Sequence, residues 1–287
     1  MQAYLLGDIR KILLDENEQL RTALFRPQPS PNYQHQLASD LYGANWLKEL
    51  VWDYCVNSEL RDKSWLRGYD RRYSCVGFYL LHRLAEKLIA QPLDSFLETR
   101  FYRPLGLTTL GYHPLSKFPQ ARIAPTEEDN FFRQDLIRGI VHDPMAALYG
   151  GVAGNAGLFS NARDLAVLLQ MNLQDGYYGD KRYLPRGVVK QFTQKQSNKN
   201  YRGLGWDKPN KDNTKPSYIS TYASADAYGH SGFTGAVAWV DPQYDLIYIF
   251  LSNRVCPDTS PNRLNEQKIR ASIHDVVYQA MGVEGPQ

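Results

Sequence analysis

At 287 residues the chain has room for one or two domains of roughly 150 residues each. Hydrophobic residues make up 43% and charged residues 22%, which excludes a disordered chain, and 21 Gly with 16 Pro exclude collagen-like and low-complexity classes. With 33 Lys+Arg against 30 Asp+Glu the net charge is +3, too small to mark a nucleic-acid binder. Twenty Tyr raise the aromatic share to 13%, which suggests polar-tipped aromatic surfaces around clefts or interfaces. Cys55, Cys75 and Cys256 are too few and too widely spaced for a disulfide framework or a zinc knuckle, and read as free thiols. Met1 to Lys11 shows no signal-peptide pattern. The longest uncharged run, Pro144 to Ala162, is broken by Gly150, Gly151, Gly154 and Gly157 and reads as a turn-rich loop.

Taken in chain order, residues 1–42 are expected to be an irregular N-terminal segment. It holds a charged, helix-compatible stretch from Asp8 to Arg21, and then Pro27-Gln28-Pro29-Ser30-Pro31, which cannot be regular structure. Ala44 to Ser58 is predicted helical, with Leu47, Leu50, Val51 and Tyr54 at 3–4 spacing. Val76 to Ala90 is a stronger prediction, because Val76, Leu80, Leu84 and Leu88 form an i, i+4 stripe. Pro92 to Phe101 reads as a short helix closed by Pro104-Leu105-Gly106. Thr109 to Val141 lacks clean periodicity and is predicted to be loops. Asn161 to Leu173 has good start chemistry, Asn161 as cap and Asp164 in the first turn. Leu184 to Gln194 is a further helix with Pro185 near its start. Ala236–Asp241 and Leu246–Ser252 are β-rich runs joined by a turn sequence, and Asn262–Met281 is a final helix with Ile269, Ile273, Val276, Val277 and Ala280 on one side. Helices followed by an antiparallel hairpin and a terminal helix define an α+β class, an antiparallel sheet flanked by helices.

Four segments carry chemistry. They are Tyr73-Ser74-Cys75-Val76-Gly77-Phe78-Tyr79-Leu80-Leu81, then Phe101-Tyr102-Arg103-Pro104-Leu105-Gly106-Leu107, then Val141-His142-Asp143-Pro144 with Gly150 to Ser160, and last Gly229-His230-Ser231-Gly232-Phe233-Thr234-Gly235 leading into a hairpin that ends Leu251-Ser252-Asn253-Arg254. In this order they resemble the serine β-lactamase-like superfamily: class C β-lactamases, penicillin-binding proteins of the D-alanyl-D-alanine carboxypeptidase type and related esterases. The resemblance runs over residues 60–280 and is nearest to β-lactamase-related domains of bacterial envelope proteins. It implies a β-lactamase/transpeptidase-like fold, acyl transfer without metal or cofactor, and a periplasmic or envelope location.

Acyl transfer in this superfamily uses a Ser-x-x-Lys nucleophile helix, a Tyr-x-Asn phenol and a Lys- or His-Thr/Ser-Gly strand whose next N–H faces the oxyanion. By resemblance Tyr73 takes the phenol position and His230 the first position of the third motif, both as catalytic residues. Ser231, Gly232, Phe233 and Cys75 line the substrate side, with the Phe233 N–H as oxyanion donor. Cys75 stands where the family has Asn or Asp, and Asn155 where its glycine loop has His. Cys75 is expected to be a small buried substitute, not a nucleophile. His142 and Asp143 are expected to organise the glycine-rich loop by hydrogen bonding.

No Ser in the sequence is followed three residues later by Lys. Ser58…Arg61 and Ser64…Arg67 have the spacing, but Arg keeps its charge and cannot take the Ser proton as a neutral Lys can. The expectation is therefore a single partial domain over 1–287, lacking the N-terminal strands and the nucleophile helix, and inactive by itself. The alternative is a degenerate binding or scaffold module of the same fold. Expected partners are a small-molecule or peptidoglycan-like substrate, an upstream glycosidase domain, or a partner chain that supplies the missing strands. Without such strands Leu246–Ser252 would form an apolar open edge.

Overall fold

The computed structural model describes residues 13–58, 73–198, 200–210 and 218–285. Two compact units share the chain, which passes between them more than once. One unit takes in 13–58, 74–93 and 112–158, and the other takes in Tyr73, 94–111 and the described part of 159–287. None of the described helices is long and apolar enough to cross a membrane.

The first unit opens where the sequence predicts irregular structure, and that expectation is corrected. β1 (Phe25–Arg26), β2 (His35–Ala38) and β3 (Leu41–Gly43) form a three-stranded antiparallel sheet in the order β1-β3-β2. Pro27 to Pro31 only fills the link between β1 and β2, where missing N–H groups cost no ladder bonds. The helix-compatible stretch ending at Arg21 is also corrected in its described part. Asp15 turns its carboxylate onto the Asn17 and Gln19 N–H groups, and Leu14 bridges Leu20 across that turn.

α1 (Leu47–Val56) and α2 (Cys75–Ile89) follow as predicted. Ser74 caps α2 by accepting from the Gly77 N–H at 3.3 Å. The face that α2 buries is not the leucine stripe. Tyr79 and His82 are buried, whereas Leu80, Leu84 and Leu88 are 44%, 51% and 76% exposed. Edge-to-face packing of the Tyr79 ring and the His82 imidazole on Tyr149, with centroids 5.0 and 5.4 Å apart, replaces the expected aliphatic contact. The stretch predicted as loops contains β4 (Pro125–Asp129) and β5 (Asp135–Arg138), an antiparallel hairpin. Its polar strands hide the period-2 signal because buried Arg133 is their core: it donates to Glu127, Asp129 and the Val141 and His142 carbonyls. α4 (Pro144–Leu148) completes the unit, after the short α3 (Leu93–Leu97) that links the two units.

The second unit is built on β8 (Tyr228–Ser231), β9 (Val237–Asp241) and β10 (Leu246–Phe250), an antiparallel sheet in the order β10-β9-β8. Successive side chains alternate between two cores. Val237, Trp239 and Tyr248 pack with Val277 on one face; Val240, Ile247 and Ile249 pack with Leu165 and Leu169 on the other. α5 (Ala162–Leu173) supplies the second face and starts as predicted, with Asn161 accepting from the Asp164 N–H at 2.9 Å. The helix predicted from Leu184 is shorter, α6 (Val188–Thr193), because Gly187 sits at its start with φ +79°. A small hairpin, β6 (Tyr177–Tyr178) with β7 (Lys181–Arg182), precedes it. The predicted terminal helix is broken into α7 (Arg263–Glu266) and α8 (Ile269–Ala280) by Lys268 at φ +52°. α8 buries Arg270, Ala271, His274 and Tyr278, while Ile273 and Val276 face outward.

Burial lowers the His274 pKa from 6.5 to about 4, with the Tyr248 ring stacked on the imidazole at 3.9 Å. A folded-state pKa below the unfolded value contributes stability that is complete above pH 6.5 and is lost as pH falls toward 4. Urea melts should show His274 contributing a loss of about 3 kcal/mol between pH 7 and pH 4, and His274→Asn should remove most of that dependence. Among the described residues β10 pairs with β9 alone, and a strand edge left unpaired templates association with another strand. Sedimentation velocity should show concentration-dependent self-association of the chain, and a monodisperse monomer over the whole range would contradict this.

Candidate active site

The third motif lies on β8 and the turn that follows it. His230 and Ser231 end the strand, half-buried, and Gly232 and Phe233 are exposed in the turn. The His230 Nδ1 lies 2.9 Å from the Ser231 carbonyl oxygen. A carbonyl can only accept, so Nδ1 carries a proton in this contact. The turn is closed by the Gly232 N–H donating to Ala236 O at 2.7 Å and the Gly235 N–H donating to Gly232 O at 3.1 Å. Gly235 takes φ +104°, and a side chain there would run into Ser252 Oγ and the Arg254 stem. The Arg254 N–H donates to Thr234 O at 2.9 Å, and its guanidinium lies 4.9 Å from the centre of the Phe233 ring. The segment after β10 thus holds this turn from the side.

Tyr73 stands one residue before the Ser74 cap of α2, its side chain 49% exposed. Cys75 is the first residue of α2, in the first unit, and there the structure joins both departures from the family pattern. The Asn155 side chain lies close enough to the Cys75 thiol to favour its ionised form. Gly154 brings the loop this close, since a side chain at that position would strike the Phe78 carbonyl oxygen. Burial and the Asp143 carboxylate push the Cys75 thiol up, against the opposing effect of Asn155, and burial with Cys75 pushes Cys55 up to about 11. A thiol tuned this way is a poor nucleophile at neutral pH.

Asp143 caps α4 by accepting from the Ala146 N–H at 2.8 Å, and His142 pairs with Glu127 at 2.9 Å. These two residues order the start of the glycine loop's helix and the β4–β5 hairpin. Of the Ser-x-x-Arg pairs, Ser58 donates to the Cys55 carbonyl at 2.8 Å, and Arg61, Ser64 and Arg67 lie outside the described residues. The same spacing recurs at Ser160…Arg163 and Ser260…Arg263, so it discriminates nothing.

Sequence reasoning missed Asp143 as the charge that acts on Cys75, because 68 residues separate them. It also missed Arg270, whose guanidinium donates to the Gly235 carbonyl at 3.0 Å. Its signal was present: Arg270, His274 and Tyr278 form an i, i+4, i+8 stripe, the buried face of α8.

The profile of the β-lactamase family matches residues 15–272, and the chain belongs to that family. It is 37% identical over 235 residues to an Escherichia coli K12 protein named "Putative D-alanyl-D-alanine carboxypeptidase", covering 75% of this chain and 54% of that one. A Salmonella typhi protein of the same name is 36% identical over 212 residues, covering 68% and 49%. The chain therefore spans about half the length of these relatives. A β-lactamase crystal structure from Mycobacterium bovis shares the fold at a TM-score of 0.50 and 22% identity, covering 73% of this chain and 64% of that one.

Iodoacetamide should alkylate Cys55 and Cys75 slowly at pH 7, with the rates rising above pH 9. Rapid neutral-pH labelling of Cys75, read by peptide mass spectrometry, would contradict the raised thiol pKa.

Proposed function

We propose that this chain forms part of the cleft of a serine hydrolase that opens an amide or ester bond through an acyl-enzyme. The substrate class proposed is a peptidoglycan-like peptide ending in D-amino acids, following the name carried by the relatives. The observation that carries the reading is the β8 strand and turn, where His230, Ser231, Gly232 and Phe233 stand in motif order with the turn held on both sides.

In this reading a Ser oxygen attacks the substrate carbonyl, and the charge on the carbonyl oxygen is met by the Phe233 N–H. Tyr73 shares the proton transfer between nucleophile and leaving amine, with His230 and Ser231 flanking the substrate and Cys75 at the base of the Tyr73 segment. Water then attacks the acyl-enzyme and returns the Ser. No Ser here has a Lys one helical turn on, so these 287 residues hold no Ser-x-x-Lys pair to start the reaction. The chain alone is accordingly proposed to be without turnover.

A second reading, a binding or scaffold module, is favoured by two departures from the family pattern. Cys75 and Asn155 both replace family residues and lie near each other, as expected of a site reshaped away from catalysis. Incubation with a fluorescent penicillin or fluorophosphonate should leave the chain unlabelled, and covalent labelling at any Ser would overturn the proposal that it lacks turnover. Calorimetric binding of a D-alanyl-D-alanine peptide to the unlabelled chain would support the module reading.

A further inference from the structure

Arg270 has no part in the family motifs and is 4% exposed, a cation inside the second unit. Burial of an ionised group is costly unless each of its N–H groups is used. The described partners are a carbonyl, an amide oxygen and a ring. Nη1 donates to Gly235 O at 3.0 Å, Nη2 donates to Asn265 Oδ1, and the guanidinium lies 4.6 Å from the centre of the Tyr218 ring. Burial is the first cause of its lowered pKa, and the nearby Arg254 charge acts in the same direction. α8 is oriented so that this cation meets the turn, because on the same face Tyr278 bonds Asp241 and His274 stacks on Tyr248.

Gly235 is the carbonyl at stake. Its own N–H closes the turn on Gly232, and Thr234 beside it accepts from the Arg254 N–H. A planar two-pronged donor fixed by Asn265 restrains both distance and direction at that carbonyl, which a flexible ammonium cannot do. We propose that Arg270 is a positioning residue that holds the Gly232–Gly235 turn, and through it the Phe233 N–H, in one conformation. The inference rests on the reading of that N–H as an oxyanion donor, but what Arg270 does to the turn is measurable without catalysis.

The experiment is site-resolved amide hydrogen exchange by NMR on the 287-residue chain, comparing the parent with Arg270→Met and Arg270→Lys. The Gly232, Gly235 and Arg254 N–H groups report the turn. The Asp207 and Gly229 N–H groups, which bond each other's residues at 3.0 Å or less on the far side of β8, report the rest of the sheet. Arg270→Met should speed exchange at the three turn amides by about tenfold or more while Asp207 and Gly229 stay within about twofold. Arg270→Lys, which keeps the charge but loses the fork, should fall between. A merely structural role would move all five amides together with the melting temperature, and that result, or unchanged turn amides in a folded Arg270→Met chain, overturns the proposal. If Arg270→Met does not fold, Asn265→Ala removes the group that orients the guanidinium and should raise the same three amides selectively. No selective rise there counts equally against it. The oxyanion reading fails separately, in the labelling experiment, if an acylated Ser lies beyond reach of this turn.

Discussion

Asp241 closes β9 as a carboxylate only 2% exposed, and the second unit depends on how its oxygens are used. Tyr278 donates to it from α8 at 2.6 Å, Ser224 donates through both its N–H and its hydroxyl, and the Gln243 N–H donates from the hairpin turn. A buried carboxylate is tolerated only with this degree of satisfaction, and removing one donor leaves the others around an uncompensated charge. The network ties the terminal helix, the segment around residue 224 and the central strand into one piece. Because α8 is held at Tyr278, Arg270 two turns earlier reaches the turn after β8.

The two helices with the most regular apolar stripes both place polar or aromatic groups inward. α2 buries Tyr79 and His82, and α8 buries Arg270, His274 and Tyr278. In each case the inner side chains are large and find specific partners, stacked rings and hydrogen bonds, which aliphatic groups cannot supply. Amphipathicity identified the helices, but most of each apolar stripe is not the face they bury. Periodicity records that two faces differ; which face meets the core depends on what the core offers.

The site shows the same division. The motif His230-Ser231-Gly232-Phe233 was legible because a strand ending in a glycine turn has a local signature, and Asn161 was legible as a cap for the same reason. The proximity of Cys75 and Asn155 was not, since both were visible only as separate departures and the chain is brought together by the close approach of Gly154 to the Phe78 carbonyl. The polar hairpin of β4 and β5 was hidden because its core is a buried Arg133, not alternating apolar residues.

By itself the sequence determined the α+β class, the order of the motifs, the helix caps and the absence of a Ser followed at the third position by Lys, all carried by neighbours in the chain. Tertiary structure alone decided which side chains the helices bury, that residues 25–43 form a sheet, and that Arg270 reaches Gly235 across 35 residues. The physical reason is range. Caps, turns and periods are settled within a few residues by sterics and local hydrogen bonds, whereas a buried charge must find its partners wherever the folded chain places them.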